Sequence, residues 1–247
     1  LSATMLSMFG IFGAILSGTG GAETFIKMGQ RFTGRFTGGS GKVSVVASSL
    51  FGMISGSAIG NVVATGVFTI PSMKKAGYTN EWAATVEAVS STGGQIMPPI
   101  MGAAAFIMAQ LIGVNYIQIA KAAIVPALLY YLSTFLSIHL VSVRDGIKGS
   151  NEKPTIKVGD YLIILVPLVI FIGFLLAGYT VLIGAFYATI GALAMYVVRF
   201  IVSTKGDVKA VAKDTGKVCY NTVINGTNSI IDMCGILAGS QITVSLI

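Results

Sequence analysis

The sequence predicts an all-α integral membrane protein, with transmembrane helices accompanied by a re-entrant helical hairpin and a broken helix. Three observations lead there. Of the 247 residues, 54% are hydrophobic and only 10% are charged, against about 25% charge in an ordinary soluble domain; the mean hydropathy is +0.83. Second, Val43–Met73 runs 31 residues without a formal charge. As a helix it would reach about 46 Å, too long for one passage through a hydrocarbon core of about 30 Å and too short for two. Its middle, SGSAIGN at 55–61, is small and polar, so it reads as the tip of a hairpin that enters and leaves by one face. Third, residues 88–120 are also charge-free and carry STGGQIMPP at 91–99. Two glycines and two prolines there remove helix propensity and backbone donors together, so a continuous helix is not expected.

The elements follow in order. Residues 1–41 hold an apolar helix and then an interfacial arm, in which Phe25, Met28 and Phe32 recur at helical spacing among Lys27, Arg31 and Arg35. The hairpin occupies 42–76. The broken transmembrane helix occupies 77–116, with one half near 80–91 and the second from about Pro99 to Ile112. One transmembrane helix fills 117–145, a loop 146–158, and two further helices 159–202, turning at AGYT, 177–180. A second basic arm covers 203–217, and 218–247 is free of charge except for Asp232. The chain starts inside one apolar segment and stops inside another, so it is expected to be part of a longer polypeptide.

Charge placement supports this threading. If 43–73 returns to the face it entered by, Lys27, Arg31, Arg35, Lys42, Lys74 and Lys75 share that face. Continuing the crossings brings Arg144, Lys148, Lys153, Lys157, Arg199, Lys205, Lys209, Lys213 and Lys217 there too, and leaves Lys121 alone opposite. By the positive-inside rule that face is cytoplasmic, and a full crossing at 43–73 would break the parity. The net charge of +7 is thus a topology signal, and nucleic-acid binding is not expected because the chain has no soluble basic face.

Polar interruptions at membrane depth are tolerated where they line a protein-buried or watery cavity. Two of them, close in sequence, point to a solute or ion site. Ser55, Gly56, Ser57, Asn61, Thr92 and Gly93 are the candidates for a cation, because neutral oxygens and closely approaching backbone suit a hard monovalent ion. Gly94, Gln95, Pro98 and Glu87 are the candidates for the solute, since half-helix N-termini favour a carboxylate. Glu87 lies within the membrane about one turn before the break. An intramembrane carboxylate marks function; the plainer reading is an interfacial Glu paired with a basic neighbour. For the small residues the plainer reading is helix packing. Asp232 is a weaker candidate of the same kind, and His139 reads as a packing residue without a partner. Cys219 and Cys234 carry no metal-site spacing. With one His, no HExxH and no phosphate loop, the chain is not expected to be an enzyme or to need a cofactor.

GKVSVVASSLFGMISGSAIGNVVATGVFTIPSMKKAGY followed by VEAVSSTGGQIMPPIMGAAAFIMA resembles the large membrane subunit of tripartite ATP-independent periplasmic (TRAP) transporters, in the branch that works with TAXI-type substrate-binding proteins. The resemblance implies a permease of the bacterial inner membrane, working with a periplasmic binding protein and a small membrane subunit that could be fused upstream. It implies uptake of an organic acid driven by Na⁺, or H⁺, through an elevator-like movement of the hairpin-bearing part. It also implies two inverted repeats, of which this chain holds the first and, in 218–247, the opening helix of the second. The family's Na⁺ positions fall on Ser57 and Asn61 and on Thr92 and Gly93. The residues leave two alternatives open: a single-component ion-coupled carboxylate carrier, and a non-transporting membrane scaffold.

Overall fold

In the computed structural model, residues 18–150 and 158–203 are described continuously, together with 8, 11–16, 154, 216, 220, 224, 227 and 231. Asp232, Cys219 and Cys234 lie outside the described residues. The chain divides into two compact units, Gly21–Lys157 and a second made of 1–20 and 158–247.

The first unit starts with α1 (Gly21–Thr33), whose first turn is tied by a Glu23–Lys27 pair at 2.8 Å. Phe25 is buried and meets Phe51 edge-on at 6.5 Å, while Phe32 is exposed. The apolar stripe read as membrane-facing therefore splits, and its Phe25 side packs on the next helix. That helix, α2 (Gly39–Ser55), ends at Gly56, whose φ of 63° is the left-handed turn that stops a helix while its N–H still reaches Gly52 O. Ser57 then caps α3 (Ala58–Lys75), accepting from Gly60 N–H at 3.1 Å. Two helices joined by so short a turn must run back along each other.

Thr79 caps α4 (Asn80–Gly93) through Trp82 N–H. A single 3₁₀ turn, Gly94–Ile96, follows, and α5 (Ala103–Ile112) begins only after Pro98–Pro99, Met101 at φ 58° and an extended Gly102. The break is real and several residues longer than the sequence suggests, because the backbone turns at Met101 before helix geometry resumes. Asn115 caps α6 (Tyr116–Arg144). At one end of the unit Gly38 N–H donates to Ile147 O, and Tyr78 Oη lies 2.5 Å from Ser142 Oγ and 3.3 Å from Gly38 O. Burial pushes the Tyr78 phenol above its usual range, so it remains a neutral donor in this knot.

In the second unit α7 (Val158–Leu176) and α8 (Val181–Ser203) turn at Gly178, φ 83°. They pack antiparallel through Phe174 stacked on Tyr187 at 4.8 Å, and Phe12 adds to the pair by stacking on Phe171. Among the described residues, three helices are long and apolar enough to cross a membrane: Tyr116–Arg144, Gly159–Leu176 and Leu182–Ile201. On α6 the exposed side chains include Val125, Leu128, Leu129, Leu132, Leu136 and Leu140, an apolar surface suited to lipid and costly in water.

Candidate functional site

Both interruptions meet inside the first unit. The last turn of α2 lies directly on the break in the α4–α5 segment, and glycine makes this possible on each side. A Cβ on Gly94 would fall 2.5 Å from Gly52 Cα, and one on Gly52 would fall 2.6 Å from Gly94 Cα. Backbone also joins them: Ile100 N–H donates to Met53 O at 3.2 Å, and Gly56 sits so close to Met101 O that a Cβ would come within 2.2 Å.

Helix periodicity decides which residues take part. Glu87, Ser91 and Gly94 follow one another at spacings of four and three and face the hairpin. Thr92, one step round, is exposed and its hydroxyl donates back to Ala88 O at 2.8 Å. Gly93 is turned to α6, where a Cβ would lie 2.5 Å from the Tyr130 ring. So Gly94, assigned to the solute from sequence, is the residue that touches the hairpin, and Gly93 is not. Gln95 is exposed and Pro98 half-buried.

Among the hairpin candidates, Ser57 spends its hydroxyl on the α3 cap. Asn61 is fully buried and donates to Ser48 O at 2.8 Å, and its Oδ1 lies 3.2 Å from Thr65 Oγ1. Ser55, beside Gly56 at the tip, is different: its Oγ is buried and has no hydrogen-bond partner, which a folded chain seldom leaves so. The donor set fits a hard monovalent cation, consisting of neutral hydroxyl and amide oxygens with the carbonyl end of α2 beside a tight glycine approach. No group of three or more His, Cys, Asp or Glu that could hold a metal occurs among the described residues.

Glu87 is fully buried and points into neither solvent nor the break. Its Oε1 accepts from Thr65 at 2.5 Å, Ser91 at 3.3 Å and Ser48 at 3.4 Å, and its Oε2 from Thr69 at 2.5 Å and Ser44 at 2.7 Å. The expected basic partner is absent: none of the ion pairs among the described residues involves it. Gly66 leaves room for its chain, since a Cβ there would come 3.3 Å from Glu87 Cγ. The serines and threonines of this cage carried no signal in the sequence beyond a four-residue spacing on each hairpin arm, 44 and 48, 65 and 69. His139, read as partnerless, has Lys42 Nζ 3.1 Å from its Nδ1. A further pair went unread: Arg199 of α8 meets Asp160 of α7 at 2.5 Å.

Apolar spans, a helical hairpin and a broken helix meeting at a polar, glycine-lined contact define a membrane transport protein. The chain belongs to the DctM component family of tripartite ATP-independent periplasmic transporters, whose profile matches residues 1–247. It is 32% identical over 153 residues to the C4-dicarboxylate TRAP transporter large permease protein DctM of Vibrio cholerae, covering 61% of this chain and 33% of that protein. To the sialic acid TRAP transporter permease protein SiaT of Haemophilus influenzae it is 29% identical over 139 residues, 56% of this chain and 22% of that protein. To the sialic acid large permease protein SiaM of Vibrio cholerae it is 25% identical over 174 residues, 69% and 40% respectively. The chain thus spans well under half the length of these relatives. Membership places the chain in a family of multi-pass inner-membrane transporter components, not of enzymes.

Proposed function

We propose that the chain is the first inverted repeat, with the start of the second, of a permease that imports an organic acid by Na⁺ coupling and an elevator-type movement. It would take its solute from a periplasmic TAXI-type binding protein and work beside a small membrane subunit. The relatives named for C4-dicarboxylates and sialic acid favour an acidic solute. The observation that carries the cation reading is the partnerless, buried Ser55 Oγ at the hairpin tip where Gly52 and Gly94 touch. In this reading Ser55, Gly56, Ser57 and Asn61 hold Na⁺ from the hairpin, and the break supplies backbone through Thr92, Gly93 and Gly94. Gln95, Pro98 and the N-terminus of α5 then face the carboxylate.

Ser55→Ala in the full-length transporter is the sharpest test, because no protein hydrogen bond is lost with the hydroxyl. The Na⁺ concentration for half-maximal uptake into proteoliposomes should rise about tenfold, a hydrogen-bond-type contact to a charge being worth roughly 1.5–3 kcal/mol. Unchanged sodium dependence with normal expression would remove the tip from the ion site. Uptake that proceeds without any binding protein would instead identify a single-component carrier, and a full-length protein whose melting ignores Na⁺ would favour the scaffold reading.

A further inference from the structure

A cleft of about 240 Å³ opens between α1, α2 and α3, with Glu23, Lys27, Gln30, Ser40, Thr69 and Ser72 in its lining. Thr69 lines it at its inner side, 1% exposed, and the Thr69 hydroxyl donates to Glu87 Oε2 at 2.5 Å. The Thr69 side chain therefore stands between this cleft, whose lining also includes the apolar Ile26, Val43 and Phe68, and a buried carboxylate.

The cage around that carboxylate is built to serve two charge states. An ionised carboxylate offers about four acceptor positions, and five hydroxyls reach this one. The two nearest have other acceptors on the backbone: Thr65 Oγ1 lies 2.8 Å from Asn61 O, and Thr69 Oγ1 lies 3.0 Å from Thr65 O. Turning those O–H bonds away satisfies them on carbonyls and leaves their oxygens free to accept from a protonated Glu87. No heavy atom has to move.

We propose that Glu87 is a proton-binding site, loaded and emptied through the hydroxyl of Thr69 from the cleft between α1, α2 and α3. Loading breaks one O–H bond of a hydronium ion in the cleft and forms one O–H bond on Oε2. Thr69 hands on its own proton and takes the incoming one, so its hydroxyl is unchanged. Intramembrane Asp, Glu and His are the usual material of proton relays.

The charged groups on the surrounding elements are paired or turned elsewhere. On α1, Glu23 and Lys27 pair with each other at the cleft. On α2, Lys42 is turned to His139 of α6. Lys74 and Lys75 on α3 are exposed, as is Glu81 at the start of α4. From α6, Tyr130 and Tyr131 donate to Val89 O and Ser90 O. The consequence reaches the hairpin tip: Asn61 O becomes the acceptor for Thr65 when Glu87 is neutral, and Asn61 also braces Ser48 O beside Gly52. Proton occupancy at Glu87 thereby adjusts the arm that carries the ion-site candidates, whichever solute is carried.

The test is infrared difference spectroscopy on a pH step, using the purified full-length permease in lipid nanodiscs without solute or Na⁺. The protonated-carboxyl carbonyl band that responds to pH should disappear in Glu87→Gln. In Thr69→Val the band should remain but respond about tenfold more slowly, as the loss of one relay hydrogen bond implies, whereas Thr134→Val, a hydroxyl on α6 away from the cleft, should respond as the parent does. A pH-responsive band that survives in Glu87→Gln overturns the site, and an unslowed Thr69→Val overturns the route. If Glu87→Gln does not fold, the Thr69→Val rate decides alone. Because the measurement contains no sodium and no solute, its result is independent of the Ser55 test.

Discussion

Gly93 and Gly94 are adjacent, yet the structure sets them different tasks. A methyl on Gly94 collides with the Cα of Gly52, which is backbone and cannot rotate away. Gly94→Ala should therefore lower stability by about 1–3 kcal/mol, seen as a lower melting temperature, and should abolish uptake. Gly52→Ala should do the same, and the two together should cost less than their sum, because either one already separates the surfaces. Gly173→Ala, with nothing within 4 Å of its Cβ, should be neutral or slightly stabilising by about 0.5–1 kcal/mol. Additive losses at 52 and 94 would mean that the two glycines do not share one contact. The sequence showed that a glycine pair interrupts a helix. Which glycine meets the hairpin was not legible, because the answer depends on the α4 rotation fixed by Glu87, whose partners on the hairpin lie 18 to 43 residues away.

At the scale of elements, boundaries set by local chemistry were legible, and pairings between helices were not. The turn at 55–57 and the stop before 103 follow from glycine, proline and capping residues that act on their immediate neighbours. The Asp160–Arg199 pair joins residues on two helices, and in the sequence Arg199 read only as one more basic residue near a membrane face. Asp160 is nearly buried while Arg199 is partly exposed, so solvent screening reduces what the pair contributes. Arg199→Leu should still lower the melting temperature, by about 1–3 kcal/mol of stability, because it leaves a buried carboxylate without its charge partner. Adding Asp160→Leu should restore most of that loss. If the double variant is less stable than Arg199→Leu alone, the pair is more than a local tie between α7 and α8.

Across the first unit, the knot of Gly38, Tyr78, Ser142 and Ile147 gathers the start of α2, the loop after α3 and the end of α6 at one end. The sequence had reached that grouping from charge parity alone, since Lys42, Lys74, Lys75 and Arg144 share one face only if the hairpin turns back. The two arguments are independent: one counts lysines and arginines in loops, the other follows hydrogen bonds between buried groups. If α6 crosses the bilayer, as its length and apolar surface allow, then the two ends of the hairpin must lie on the side where α6 ends, with Lys121 near the opposite side. Single cysteines at 74 and 144 of the full-length protein, exposed to a membrane-impermeant maleimide in intact cells, should both stay unlabelled until the inner membrane is opened. A cysteine at 115, just before α6, should react from the periplasm. Labelling of 74 from outside while 144 remains protected would turn 43–73 into a full crossing, and both the re-entrant hairpin and its tip as an ion site at membrane depth would have to be given up.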